Sequence, residues 1–164
     1  MSASATYLEF YNCISDLINT SEVQSMMNLP QHGSVSCLEH SVFVSYISYR
    51  IAKRLGYDYV AAARGGLLHD LFLYDWREKG SHEGLHGFSH PVAALENAEK
   101  LTELSEVERD IILKHMWPLT ITKMPKFAES FIVNFSDKLC AMTEATRLYQ
   151  MVGMRRRLQF VPQY

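Results

Sequence analysis

Asp58-Tyr-Val-Ala-Ala-Ala-Arg-Gly-Gly-Leu-Leu-His-Asp-Leu-Phe72 is the stretch from which the fold can be read. Asp58 is suited to cap a helix, because its side-chain oxygen can accept from an amide that has no partner in the first turn. The helix is expected to run from Tyr59 to about Phe72. Ala61, Ala62, Ala63, Gly65 and Gly66 would let a neighbouring helix approach closely. Immediately after the most hydrophobic part, Gly65-Gly-Leu-Leu68, come His69 and Asp70. A carboxylate there is costly to bury unless it is paired or bound to a metal.

The flanking segments have the same helical character. Towards the N-terminus, Ser36-Cys-Leu-Glu39 forms a capping box, in which the two side chains satisfy each other's backbone amides. The helix it opens carries Cys37, His40, Val44, Ile47 and Ile51 on one face and ends at Gly56. Further upstream, Tyr7 to Ile18 places Leu8, Tyr11, Ile14 and Leu17 or Ile18 on a stripe. Towards the C-terminus, Gly80, Gly84 and Gly87 mark a loop from Arg77 to Ser89. Ser89 is expected to cap a helix from about Pro91 to Leu101, proline being accepted in a first turn. Ser105-Glu-Val-Glu108 is a second capping box, for a helix ending near Met116. Pro118 and Pro125 bracket a connection, and a last helix runs from about Phe127 past Leu148. The chain therefore reads as all-α: residues 1–164 form one helical bundle of about seven elements, with no repeats or linkers.

Composition narrows the function classes. The 164 residues carry a net charge of −2, with 48% hydrophobic and 21% charged residues, which suits a folded domain with one core. A general nucleic-acid or membrane-surface binder would show a basic excess. The Arg155-Arg-Arg157 run is read as a solvated tail. Cys13, Cys37 and Cys140 are too scattered for a disulfide framework or a thiolate zinc site, and sit in apolar helical patterns as buried thiols. The N-terminus lacks a basic stretch followed by an apolar run, and no apolar stretch approaches the ~20 residues that span a bilayer. The expected location is cytoplasmic.

The informative residues are polar ones that fall on apolar faces. His40 lies between Cys37 and Val44. His115 follows Val107 and Ile111 at steps of four, and Asp137 lies one turn after Val133 and one before Cys140 and Ala141. One such histidine is ordinarily a satisfied core residue. Four histidines, His40, His69, His90 and His115, and two aspartates, Asp70 and Asp137, are better explained by a single metal cluster. Imidazole and carboxylate donors suit Fe, Mn, Co, Ni or Zn, one or two ions per chain.

Gly66-Leu-Leu-His-Asp70, preceded by His40 in Glu39-His-Ser-Val42 and followed by Asp137 in Phe135-Ser-Asp-Lys138, resembles the HD superfamily of metal-dependent phosphohydrolases. The resemblance covers roughly His40 to Glu144. It implies an HD-type helical domain whose metal-site core spans about residues 36–145, with N-terminal helices in residues 1–30 packed on it. One metal would be held by His40, His69, Asp70 and Asp137. Asp70 would bridge to a second, held by His90 and His115, as in the two-metal branch; symmetrical dinucleoside polyphosphate hydrolases have a similar ligand order. The substrate implied is a small phosphorylated molecule such as a nucleotide, and a homodimer is compatible with the resemblance. Many members follow His-Asp with a small residue and then lysine, whereas here Leu73 takes the lysine position. Lys138 and His86 are the candidate substitutes for phosphate contact or proton transfer, beside Asp70 as a catalytic group. Asp75 and Arg77 are further substrate-binding candidates, and Tyr74 and Trp76 are read as packing or pocket wall.

Two other readings use the same residues. Mixed-valent di-iron oxygenases on this fold have a similar ligand set, and a non-catalytic binding domain could keep the metal for stability alone. A third pattern is a decoy. His82-Glu-Gly-Leu-His86 satisfies the H-E-x-x-H protease motif, which works only on a helix. Gly80, Gly84 and Gly87 surround or interrupt it, each costing about 1 kcal/mol of helix stability relative to alanine.

Overall fold

The computed structural model describes residues 3–31, 35–78, 80 and 84–146. Seven α-helices occur among them: α1 Ala3–Ile18, α2 Ser21–Ser25, α3 Cys37–Leu55, α4 Tyr59–Leu68, α5 His86–Leu101, α6 Glu106–Lys114 and α7 Ala128–Ala145. The only β-type pairing among the described residues is an isolated bridge between Pro30 and Ser36. The fold is all-α. No described helix is long and apolar enough to cross a membrane. The arginine run at 155–157, His82 and Glu83 of the decoy, and any continuation of α7 to Leu148 lie outside the described residues.

α3 is the central element. Cys37, His40 and Val44 of the expected face are fully buried, but so are Leu38, Val42, Ser45, Ser48, Tyr49 and Ala52. A helix buried around most of its circumference has neighbours on several sides, here α4 and α7 above all. Its ends follow local chemistry. Ser36 and Glu39 close the capping box, and Gly56 ends the helix in the left-handed region at φ 79°.

α4 crosses α3 at very short range. A Cβ on Gly66 would lie 2.9 Å from Ser45 Cα, and the Ser45 hydroxyl donates to the Ala63 carbonyl at 2.6 Å. The small residues of this helix therefore do admit a close neighbour. Arg64 ties α4 to α1 through Asp16 at 2.7 Å and to α6 through Glu108 at 2.7 Å. All three cysteines are free and buried.

Three expectations are corrected. α1 buries Phe10, Cys13, Ile14, Leu17 and Ile18, while Leu8 is 61% exposed. The stripe is phased on Phe10 rather than Leu8. α4 ends at Leu68 rather than Phe72, because the chain turns through His69 and Asp70. Phe72 N–H donates to the Asp70 carbonyl, and Leu73 adopts φ 56°. That left-handed conformation costs a non-glycine residue about 1–2 kcal/mol. α5 starts at His86, not near Pro91, and Ser89 is not its cap: the Ser89 hydroxyl donates back to the Leu85 carbonyl at 3.3 Å. Pro91 lies in the second turn, where its missing N–H forfeits only the bond to the Gly87 carbonyl. His86 and His90 are thus four residues apart on one helix.

Candidate metal centre

α3, the end of α4, α5, the end of α6 and α7 each bring one or two polar side chains to a common interior point. His40, His69, Asp70, His90 and His115 are at most 5% exposed, and the Asp137 side chain is 15% exposed. Asp70 lies at the centre. Its Oδ1 is 3.3 Å from His90 Nε2 and 3.6 Å from His115 Nε2. Its Oδ2 is 3.3 Å from His69 Nε2 and accepts from Gln31 Nε2 at 2.7 Å. Asp137 Oδ1 is 3.1 Å from His40 Nε2 and 3.8 Å from His69 Nε2. The potential donor atoms of His40, His69 and Asp137, and those of His69, Asp70 and His115, lie within 4.8 Å of one another. By distance His69 belongs to both groups, whereas the two oxygens of Asp70 face different imidazoles.

The ring orientations follow from the other nitrogens. His69 Nδ1 donates to the Gly66 carbonyl at 2.8 Å, His90 Nδ1 to the His86 carbonyl at 2.7 Å and His115 Nδ1 to the Ile112 carbonyl at 2.8 Å. A carbonyl can only accept, so these Nδ1 atoms carry the hydrogens and each neutral ring presents a bare Nε2. His40 Nδ1 instead meets Glu144, at 2.9 and 3.1 Å to its two oxygens.

The electrostatics suit a cation. Burial disfavours a charged His40, but Asp137 and Glu144 outweigh it and raise its pKa to about 10. Burial opposes ionisation of Asp137 too, yet its hydrogen bond with His40 and the neighbouring histidines bring it down to about 2. Asp70 is held well below the usual carboxylate range despite its burial, chiefly by His69 and His90. Burial, with His69 and His90 adding to it, pushes His115 down to about 3.

Two observations test whether a metal fits. His69 Nε2 is buried and makes no well-aligned hydrogen bond among the described residues, its nearest polar neighbour being Asp70 Oδ2 at 3.3 Å. His90 Nε2 and His115 Nε2 face each other at 2.8 Å, although both rings spend their Nδ1–H on carbonyls. Neutral rings would set two lone pairs against each other there, a conflict that a proton on one Nε2 or a bound cation relieves. With two carboxylates in the cluster, the donor set fits a divalent transition cation.

The other candidates occupy distinct places. The His86 ring stacks on His90, with centroids 4.6 Å apart, and on Trp76 at 5.5 Å; its Nδ1 is 3.2 Å from the Tyr74 hydroxyl. Lys138 Nζ donates to the His115 carbonyl at 3.2 Å, so its ammonium caps the end of α6. Burial lowers its pKa, against the pull of Asp137. Asp75 accepts from the Arg77 amide at 2.9 Å within a turn, and the Arg77 guanidinium lies 5.3 Å from the Trp76 ring centre.

Sequence reasoning missed Gln31, Asn134 and Glu144. Asn134 donates to the carbonyls of His115 and Trp117 at 2.6 and 2.5 Å, holding the end of α6. Glu144 did carry a signal, since it follows Asp137 by two helical turns and so shares its face. Gln31 carried none.

An all-α bundle whose helices converge on buried histidines around two aspartates defines a class of protein built to hold metal in its interior. The HD domain family model matches residues 37–142, a span that contains all six candidate ligands, and the chain belongs to this family. HD domains are in general metal-dependent phosphohydrolases. No solved structure matches the chain.

Proposed function

We propose that this protein hydrolyses a phosphate ester or anhydride in a small phosphorylated metabolite, of which nucleotides are the leading class, using one or two divalent transition cations. The observation that carries the reading is the convergence of four imidazole Nε2 atoms on Asp70 and Asp137, every ring being fixed through its Nδ1. His40, His69, Asp70 and Asp137 would hold one cation, and Asp70, His90 and His115 a second. When bound, such cations acidify a water and offset charge on phosphoryl oxygens.

The protein's own groups do the rest. Asp70 is the carboxylate we assign to orient the attacking water, as an acceptor of its hydrogen bond; its low basicity suits it to hold the water rather than to take its proton. His86, stacked on His90, is the group assigned to protonate the leaving oxygen. Arg77 offers a guanidinium to a phosphate oxygen, with Asp75 shaping the turn that carries it. Lys138 serves the same charge role through another of its three N–H donors while one holds the His115 carbonyl. The interior position of the cluster limits water to what the site orders, which strengthens each of these interactions.

The test is a screen of phosphorylated metabolites against protein reconstituted separately with Mn, Fe, Co, Ni and Zn, reading released phosphate and bound metal. Phosphate release from at least one substrate, lost in His69→Ala, is the expected result. No release from any substrate by fully loaded protein refutes the proposal.

A further inference from the structure

The four histidines of the cluster are held in two different ways. His69, His90 and His115 donate through Nδ1 to backbone carbonyls three or four residues earlier in their own helices, at 2.7–2.8 Å. His40 meets a side-chain carboxylate 104 residues away, with Glu144 Oε2 at 2.9 Å and Oε1 at 3.1 Å from its Nδ1. Both side chains of this pair are fully buried. α7 therefore supplies Asp137 and, two turns further on, the partner of another candidate ligand.

We infer that Glu144 is a positioning residue for His40, and that it makes the His40 half of the cluster the half that holds its cation more tightly. The inference rests on the metal site proposed above. A carboxylate accepts but cannot donate, so it keeps the hydrogen on Nδ1 and leaves Nε2 to face Asp137. An anionic acceptor polarises the imidazole more than a neutral carbonyl does, making Nε2 a stronger donor to a metal. The remaining histidines have only carbonyl acceptors at Nδ1, so their basicity gains less. Loss of such an outer partner ordinarily weakens metal binding about 10–100-fold.

Cobalt(II) titration of the full chain against a competing chelator reads this without any substrate. Wild-type protein should show a tighter and a weaker affinity. Glu144→Gln keeps the volume and a hydrogen-bond acceptor but removes the charge. It should weaken the tighter affinity about 10–100-fold and leave the weaker one. In a His115→Ala background, where only the His40 half remains, the same drop should appear alone. Purely structural support by Glu144 would instead lower the melting temperature of metal-free protein and leave the affinity unchanged, which overturns the inference.

A measurement on wild-type protein covers the case in which the variants do not fold. In the zinc-loaded chain, one histidine Nδ1–H resonance should lie downfield of the other ligand histidines, and selective labelling should assign it to His40. A His40 resonance indistinguishable from the others overturns the inference. Tight cobalt binding without phosphate release from any substrate would refute the hydrolase proposal and leave this one standing. Wild-type protein that binds no cobalt overturns both.

Discussion

The Nε2 atoms of His90 and His115 face each other across 2.8 Å, while each Nδ1–H is committed to a backbone carbonyl. With both rings neutral, two lone pairs would repel at this separation; a metal cation held by both nitrogens removes that repulsion, as a proton on one of them does in the metal-free protein. Metal binding should therefore stabilise the fold as well as complete the site. At a free metal concentration a hundred times the dissociation constant, one site adds about 2.7 kcal/mol. Calorimetry should show the melting temperature falling when metal is stripped and recovering on reconstitution. Identical melting of the two forms would contradict the arrangement.

Asp70 divides its oxygens between the two sides, with Oδ1 toward His90 and His115 and Oδ2 toward His69. Asp70→Ala should lose metal from both halves. His115→Ala should lose it from one half only, since His40, His69, Asp70 and Asp137 remain. Metal counted per chain by elemental analysis separates these outcomes, and equal loss in both variants would refute the division.

Gly66 is where α4 meets the backbone of α3. An alanine there would set its Cβ 2.9 Å from Ser45 Cα and 3.2 Å from Ser45 N. Alanine gains about 0.5–1 kcal/mol of helix propensity. Forcing two backbones apart costs about 1–3 kcal/mol, so the clash wins. Gly66→Ala should lower the urea midpoint, and it should also weaken metal binding because His69 lies three residues away.

Asp110 closes the connection between α6 and α7. It accepts from the Lys126 amide at 2.9 Å and the Ser130 hydroxyl at 2.7 Å, and it pairs with Lys114. Burial opposes its ionisation, but these partners lower its pKa below the ordinary value. A lowered carboxylate stabilises the fold above its unfolded pKa, and that contribution fades as pH falls toward the folded value. Asp110→Asn should cost about 1–3 kcal/mol at neutral pH. The gap between variant and wild type should narrow below about pH 4 in urea unfolding. A gap independent of pH would contradict this account.

Hydrolysis asks the metal for charge, not for electrons. Manganese or cobalt should therefore support phosphate release under anaerobic conditions, and His69→Ala should abolish it. An oxygenase using the same residues would need iron and oxygen. Activity confined to those conditions, with no phosphate released, would reject hydrolysis.

How much was legible in the sequence depended on range. Both capping boxes, Asp58 as a cap and Gly56 as a stop all formed as read, because each involves residues within about four positions of one another. His40, His69, Asp70, His115 and Asp137 could be picked out because helical periodicity identifies a buried face without its partner, whereas His90 came only from the resemblance, since it lay ahead of the expected start of its helix. Where local signals competed, the reading failed. Pro91 suggested a helix start, but tertiary packing extends α5 back to His86 and stacks His86 on His90.

The sequence by itself determined that the chain is helical, where most helices begin and end, and that His40, His69, Asp70, His115 and Asp137 lie on inward faces. Those properties come from capping chemistry and a repeat of 3.6 residues, both written along the chain. Only the tertiary structure decided what each nitrogen and oxygen faces. It set Glu144 on His40, Gln31 on Asp70 and Lys138 on the His115 carbonyl, contacts that span 104, 39 and 23 positions. Partners so far apart depend on how α3, α4, α6 and α7 pack and rotate against one another, and helix packing leaves no local pattern in sequence.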